Sequence, residues 1–317
     1  MPRLTLLLPA TSRFAGAALP TALARALGRA DRIHADAGEQ AQLARHFRLL
    51  PDRWPHAALA RAADAGVDDA TPHAWLRADP AYIRPDINGA RLLAIGHTLG
   101  IDQTDVDALL PALRPLFGDA GFTLDAAHPS RWYLRLPREA RLPGFASPEA
   151  ALGEDVFEHD AFATAGNDAD ARRWRVLASE AQVLLHNHPH NAARAAAGRV
   201  PINALWFWGG GVLPDAIAGA APTLYSDDPL LHGIARVGRL QAMPLDDFAN
   251  ADGEALVDLR GARDPRALLE RWLPPVIDAV PKREVALDFA DGVQFVLRAS
   301  QRWRFWRSPL ASLAPRG

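Results

Sequence analysis

The densest chemistry-bearing stretch is Leu185-His-Asn-His-Pro-His-Asn-Ala-Ala-Arg194, where His186, His188 and His190 alternate with polar residues and proline. Imidazoles can ligate a metal, shuttle protons or donate hydrogen bonds to an oxyanion. On an uninterrupted helix His186 and His190 would share a face as an i, i+4 metal pair. Pro189 lacks a backbone donor and marks a new helix start, which breaks that register. The functional reading is a phosphate or metal pocket in which His186, His188, His190, Asn191 and Arg194 supply groups at a helix amino end. The structural alternative is a capped turn between two helices with solvated imidazoles.

Three further stretches carry candidate groups. Arg77-Ala-Asp79-Pro80, with Arg84 and Asp86, places two arginines and two carboxylates in a stretch whose prolines exclude a continuous helix. It could clamp a phosphate or carboxylate through Arg77 and Asp79, or fix a loop by internal pairing, and surface pairs of that kind contribute only about 0 to 1 kcal/mol. The run Asn203-Ala-Leu-Trp-Phe-Trp208-Gly-Gly-Gly211 is an apolar strand entering glycines, where a ligand could approach the backbone. It has neither the glycine spacing of a dinucleotide loop nor a P-loop lysine, so a tight turn after a buried strand is favoured. Arg302-Trp-Arg-Phe-Trp-Arg307 interleaves aromatics with arginines, as single-strand binding surfaces do. The favoured role is a terminal strand whose tryptophans pack on the sheet while its arginines face water or pair with carboxylates.

The elements that must position these residues alternate in type. Leu4 to Leu8 is a short apolar run closed by Pro9, a buried strand. Apolar residues recur at helical spacing over Leu19–Leu27 and Glu39–Leu50. Extended segments are expected at Tyr82–Gly96 and Phe122–Leu136, flanking a helix near Thr104–Phe117 that Thr104 can cap. Asp168–Leu185 is a helix, the histidine turn follows, and a second helix lies near Ala192–Ala197 before the Ile202–Trp208 strand. Helices are expected at Pro229–Arg239 and Pro265–Val280, and Glu284–Leu297 closes as a hairpin about Ala290-Asp-Gly292. No repeat or Ser/Gly-rich joint divides the chain, so a single α/β domain over 1–317 is expected, with an insertion at 75–160.

Composition removes several function classes. The chain has 317 residues, 49% of them hydrophobic, enough for one large core or two modest ones. Its 35 basic and 37 acidic residues leave no global field for a polyanion, so no nucleic-acid partner is expected. With no cysteine there is no disulfide, thiolate nucleophile or thiolate zinc site, and a metal would rest on His, Asp or Glu. Glycines and prolines between Val200 and Tyr225 exclude a spanning helix there, so no membrane partner is expected, and a cytoplasmic location is expected.

The residues His188-Pro-His-Asn191, Arg194, Gly198, Pro201 and Asn203, leading into Trp-Phe-Trp-Gly-Gly-Gly, resemble the central signature of the archaeal-type cofactor-independent phosphoglycerate mutases of the alkaline-phosphatase superfamily. Asp228-Pro-Leu-Leu-His-Gly233 and Gly238 continue it. A closer similarity is to a bacterial phosphoglycerate-mutase-like group encoded among regulators of pathogenicity factors, carried also by Trp75-Leu-Arg-Ala-Asp-Pro80, Arg84-Pro-Asp86 and Arg131-Trp-Tyr-Leu-Arg135. The resemblance implies a three-layer α/β/α sheet of alkaline-phosphatase type, with a strand-containing insertion and a closing C-terminal β-hairpin. Mutases of this kind use two divalent metals and a nucleophilic serine, with an aspartate-glycine just after the first strand. Here that strand runs into Pro9-Ala-Thr-Ser12, and no histidine follows His232; Asp246, Asp247 and Asp258 are scattered carboxylates. The expectation is therefore a catalytically degenerate protein with a regulatory or ligand-binding role, taking no cofactor. It would bind a phosphorylated small molecule or a regulatory protein through His186, His188, His190, Asn191, Arg194 and Asn203. The competing expectation is a metal-dependent mutase or phosphohydrolase in which Thr11 or Ser12 is the nucleophile and divalent metal is required.

Overall fold

The computed structural model describes residues 1–86, 89–159, 169–251 and 253–314. The chain divides into two compact units: unit 1 is Met1–Asp52 with Ala216–Gly317, and unit 2 is Arg53–Asp215. The stretch 75–160 expected as an insertion lies inside unit 2.

Unit 1 opens with β1 (Arg3–Leu8), α1 (Thr21–Arg29), β2 (Asp31–His34), α2 (Glu39–Ala44) and β3 (Phe47–Leu50). Unit 2 follows with α3 (His56–Ala65), α4 (Val67–Ala70), β4 (Ala74–Asp86), β5 (Gly89–Ile95), α5 (Gln103–Asp119), β6 (Thr123–His128), β7 (Arg131–Leu136), α6 (Pro148–Ala151), α7 (Ala169–Asn187), α8 (Pro189–Ala196) and β8 (Ala204–Gly211). Unit 1 resumes with β9 (Ala216–Gly219), β10 (Thr223–Tyr225), α9 (Pro229–Gly238), β11 (Gln241–Met243) and β12 (Ala255–Asp258). It ends with α10 (Pro265–Ala267), a π-turn into α11 (Leu273–Ala279), and the hairpin β13 (Glu284–Phe289) and β14 (Val293–Leu297).

In unit 1 a seven-stranded sheet runs β11-β10-β12-β1-β13-β14-β2. β1 pairs in parallel with β12 and β13, and β10 in parallel with β11 and β12, while β14 is antiparallel to both neighbours. The continuous apolar runs of β1, β12 and β13 suit strands covered on both faces. Leu4, Leu6, Leu8, Val257, Leu287 and Phe289 are buried with Phe14, Leu23 and Leu27 of the covering segments. Because β1, β10, β12 and β13 are parallel, their carboxyl ends lie at one edge of the sheet, where ligand sites of open α/β sheets form.

In unit 2, β4 is the spine of a five-stranded antiparallel sheet, paired with β5, β7 and β8, and β6 pairs with β7. Its core holds Leu109, Leu113 and Phe117 of α5, Trp132, Phe207, and Trp174 of α7 stacked on Phe122 at 5.1 Å between ring centroids.

Four expectations are corrected. The Glu39–Leu50 helix ends at Ala44, and Phe47–Leu50 is a strand whose partner is β9. The carboxylate of Asp102, not Thr104, caps α5 by accepting the Asp105 amide at 3.1 Å. The glycine triplet ends strand β8 instead of forming a turn after it. Arg302–Arg307 is not a terminal strand: residues 299–303 form a 3-10 turn, and Trp303, Phe305 and Trp306 are exposed. Asp168, the expected start of α7, lies outside the described residues. No described helix is long and apolar enough to cross a membrane.

Candidate functional site

The histidine turn of unit 2 is built by Pro189. α7 ends at Asn187, His188 is the cap, and Pro189 is the first residue of α8, so His186 and His190 sit on different helices and form no i, i+4 pair. His188 Nδ1 accepts the His190 backbone N–H at 3.3 Å. His190 Nε2 lies 2.7 Å from Asp105 Oδ1, which ties α8 to the start of α5. His186 is exposed.

The neighbouring residues are fastened inward. Asn191 donates from Nδ2 to the carbonyls of Leu185 and Ile202, both at 2.7 Å, and its Oδ1 accepts the Ile202 amide at 2.8 Å. Arg194, whose side chain is 1% exposed, donates to Asp105 at 2.6 Å, Leu99 O at 2.9 Å and Val200 O at 3.0 Å. Burial works to raise the Asp105 carboxyl, but the donors His190 and Arg194 outweigh it and hold it below the usual carboxylate value. Asn203 repeats the Asn191 pattern, accepting the Ile83 amide at 2.9 Å and donating to the Ile83 carbonyl at 2.7 Å. Three polar side chains expected to face a ligand thus satisfy backbone groups that a loop buried in the unit would otherwise orphan. A cleft of about 600 Å³ remains, lined by Tyr82, Pro85, His186, His188, Pro201 and Asn203 among others. The structure brings His186, His188, Asn191 and Asn203 to this cleft, but not His190 or Arg194.

Arg77 and Asp79 pair with each other. Both lie buried on β4, and Asp79 accepts from Arg77 Nε and Nη2 at 2.9 and 2.7 Å, from the Trp208 indole at 2.7 Å and from the Trp132 amide at 3.3 Å. The Arg77 guanidinium lies 5.2 Å from the ring centroids of Tyr133 and Trp208. The glycine triplet is explained by packing. A Cβ on Gly210 would stand 2.4 Å from Leu142 Cδ1, and one on Gly209, whose φ is +67°, 2.9 Å from His56 Cβ.

A second group of polar residues gathers at the carboxyl edge of the unit 1 sheet. Leu7 is in register with Asp258 of β12 on one side and Asp288 of β13 on the other. Asp288 accepts from Arg45 Nη2 at 2.6 Å and Nε at 3.1 Å and lies 2.7 Å from His46 Nε2. Burial pushes its pKa up, yet the hydrogen bonds from His46 and Arg45 hold it below the ordinary value. Asp258 accepts from Arg260 Nε at 2.8 Å and from the Ser226 hydroxyl at 3.1 Å. Arg260 reaches Asp228 at 3.0 Å. Burial would favour the neutral guanidine, but Asp258 and Asp228 hold Arg260 charged, above its ordinary value. Thr11 donates its amide, at 3.0 Å, and its hydroxyl to Asp291. Gln42 of α2 donates to the carbonyls of Leu8 and Asp288 at 3.0 and 2.6 Å, joining two strand ends.

Sequence reasoning missed Gln42, Arg45, His46, Ser226, Arg260, Asp288 and Asp291, and treated Asp258 as scattered. The signal was local. Ala255-Leu-Val-Asp258 and Val285-Ala-Leu-Asp288 are apolar strands that each reach an aspartate at the carboxyl edge, where α/β sheets place ligand-facing groups.

No family model matches the chain. A probable 2,3-bisphosphoglycerate-independent phosphoglycerate mutase of Geobacter sulfurreducens is 33% identical over 67 residues, which span 21% of this chain and 16% of that protein. The structure of PH0037 protein from Pyrococcus horikoshii superposes with a TM-score of 0.50 and 12% identity, covering 94% of this chain and 87% of that one. A cofactor-independent phosphoglycerate mutase from Thermoplasma acidophilum gives a TM-score of 0.43 and 15% identity, covering 94% and 90%. The fold is the mixed α/β architecture of alkaline-phosphatase type, with a central sheet and flanking helices, as the resemblance implied. The likeness in sequence to a phosphoglycerate mutase is confined to those 67 residues, and the chain spans about one sixth of that relative's length.

The expectation of no cofactor is corrected by these similarities. The matched relative is a probable bisphosphoglycerate-independent mutase, a class that works with divalent metal. The residues at the sheet edge do not assemble such a centre. Among the described residues no group of three or more His, Asp or Glu is placed to hold a metal ion. The orphaned buried acceptors there are Gln42 Oε1 and Asp291 Oδ1, one amide and one carboxylate oxygen, fewer than a hard divalent cation takes.

Proposed function

We infer that the protein is a phosphoglycerate-mutase-like relative that binds its ligand without turning it over, in a regulatory role like that of the bacterial group it resembles. The observation that carries this reading is the pairing at the sheet edge: Asp258 and Asp288 are closed by Arg260 and by Arg45 with His46, and the Thr11 hydroxyl is engaged by Asp291. A phosphotransfer centre needs those carboxylate oxygens open to a cation and a nucleophile that the substrate can reach, and Thr11 is buried. A cleft that offers imidazoles to a ligand is lined by His186 and His188. A phosphorylated three-carbon acid would take hydrogen bonds from these imidazoles.

The test assays phosphoglycerate mutase and phosphatase activity with added manganese, alongside calorimetric titration with 3-phosphoglycerate. The expected result is no turnover above background, together with binding that the His186→Ala, His188→Ala double variant loses. Turnover that Asp288→Asn abolishes would overturn the reading and make the sheet edge catalytic.

A further inference from the structure

The aromatic-arginine stretch 302–307 is held outward by the fold. On its inner side Arg304 donates to the Arg29 carbonyl at 3.0 Å and to Asp31 at 2.5 Å, and Arg307 donates to the Ala30 carbonyl at 3.3 Å. Gln301 is buried and donates to Val296 O at 3.1 Å, and Leu310 N–H donates to Ala24 O at 2.8 Å. These bonds fix the segment against α1 and the end of β14. The rings between them have nowhere to pack, so Trp303, Phe305 and Trp306 are 64%, 76% and 70% exposed. Of the nine tryptophans, Trp303 and Trp306 are the two in the exposed class.

The segment that carries the rings and the helix beside it bear charge of one sign, although the whole chain is nearly neutral. From Gly292 to Ala314 there are four arginines and no acidic residue, and α1 beside them adds Arg25 and Arg29, again with no acid. The acids drawn into this face, Asp31 and Glu284, are consumed by Arg298 and Arg304. Three rings protruding from a cationic face have a specific complement: an anionic surface soft enough to admit indole and phenyl rings. That describes the headgroup layer of an acidic phospholipid membrane. Indoles settle at that depth because one end is apolar and the other donates a hydrogen bond. A single-stranded nucleic acid would need open, flat ring faces. Here the Arg302 guanidinium lies over Trp303 at 4.9 Å, and Phe305 meets Trp306 edge to face at 79°.

We propose that Trp303, Phe305 and Trp306, together with Arg302 and with Arg29, which donates to the Arg302 carbonyl, form a peripheral docking site for an anionic phospholipid surface. The contact is interfacial and reversible, so the expectation of no membrane partner is revised for the surface while the exclusion of a spanning helix stands. The full chain is sedimented with vesicles of phosphatidylglycerol and phosphatidylcholine, with phosphatidylcholine alone as the neutral control, at low and high salt. Vesicles with brominated acyl chains report whether tryptophans enter. The expected result is salt-sensitive binding to the anionic vesicles and quenching of tryptophan fluorescence. The Trp303→Ala, Phe305→Ala, Trp306→Ala variant should lose both by about tenfold or more with an unchanged melting temperature, because the side chains touch little of the core. No binding to anionic vesicles at low salt, equal binding by the variant, or binding without quenching would overturn the proposal. So would saturation by a single-stranded oligonucleotide or an acidic protein in place of the vesicles.

Discussion

Arg194 is the residue on which the histidine turn hangs. Its guanidinium is buried, satisfies two carbonyls and faces the fully buried Asp105. Arg194→Ala strands that carboxylate and should cost about 3 to 5 kcal/mol, because breaking a buried pair leaves one charge uncompensated. Urea denaturation near neutral pH measures it, and a loss below about 1 kcal/mol would mean that Arg199, 2.7 Å from Asp105, suffices. His186→Ala makes the contrast, since an exposed imidazole should change stability by no more than about 0.5 kcal/mol. The same residues show what type and spacing could convey. That His, Asn and Arg gather here was legible; that Asn191, Arg194 and Asn203 serve the backbone was not, because their partners lie on β4, α5, α7 and the loops beside them.

Elements end where side chains or distant strands end them. Asp102 caps α5 in a capping box with Asp105, whose side chain accepts the Asp102 amide at 3.1 Å. Asp102→Ala should therefore destabilise by about 1 kcal/mol, while Thr104→Ala should stay within about 0.5 kcal/mol, and comparing their urea midpoints checks the assignment. Reversed effects would restore Thr104 as the cap. The periodicity over Glu39–Leu50 suited a helix throughout, but β9 offers Phe47–Leu50 a ladder of backbone hydrogen bonds that no local pattern encodes. Pairing from far along the chain outweighed local helix preference. Pro189, by contrast, acts locally, and the break it makes between α7 and α8 was readable from one residue.

Across the whole molecule, ionised aspartates held by arginines set the response to acid. Hydrogen bonds from Arg304 and Arg61 depress Asp31 and Asp69, while burial raises Asp64, Asp105 and Asp288 but is outweighed by their Arg, His or Tyr donors. All five pKa values lie below the ordinary 3.8. A depressed folded-state pKa contributes stability that is complete above the unfolded value and lost as pH falls through the folded one. Stability should accordingly be insensitive to these groups from about pH 5 to 8 and fall steeply below about pH 4. Urea midpoints measured across that range give the test, and constancy down to about pH 3 would show that the pairs contribute nothing to folding. Sequence by itself determined the α/β alternation, the buried first strand, the closing hairpin, the cysteine-free chemistry and the break at Pro189, since each follows from periodicity, composition or one residue's covalent geometry. Only the tertiary structure decided that Asp258 and Asp288 flank Leu7 and are closed by arginines, that the conspicuous Asn and Arg residues face inward, and that Trp303, Phe305 and Trp306 face out. Those outcomes depend on which distant segments meet, and a partner brought from another strand or helix leaves no periodic trace in the residues it satisfies.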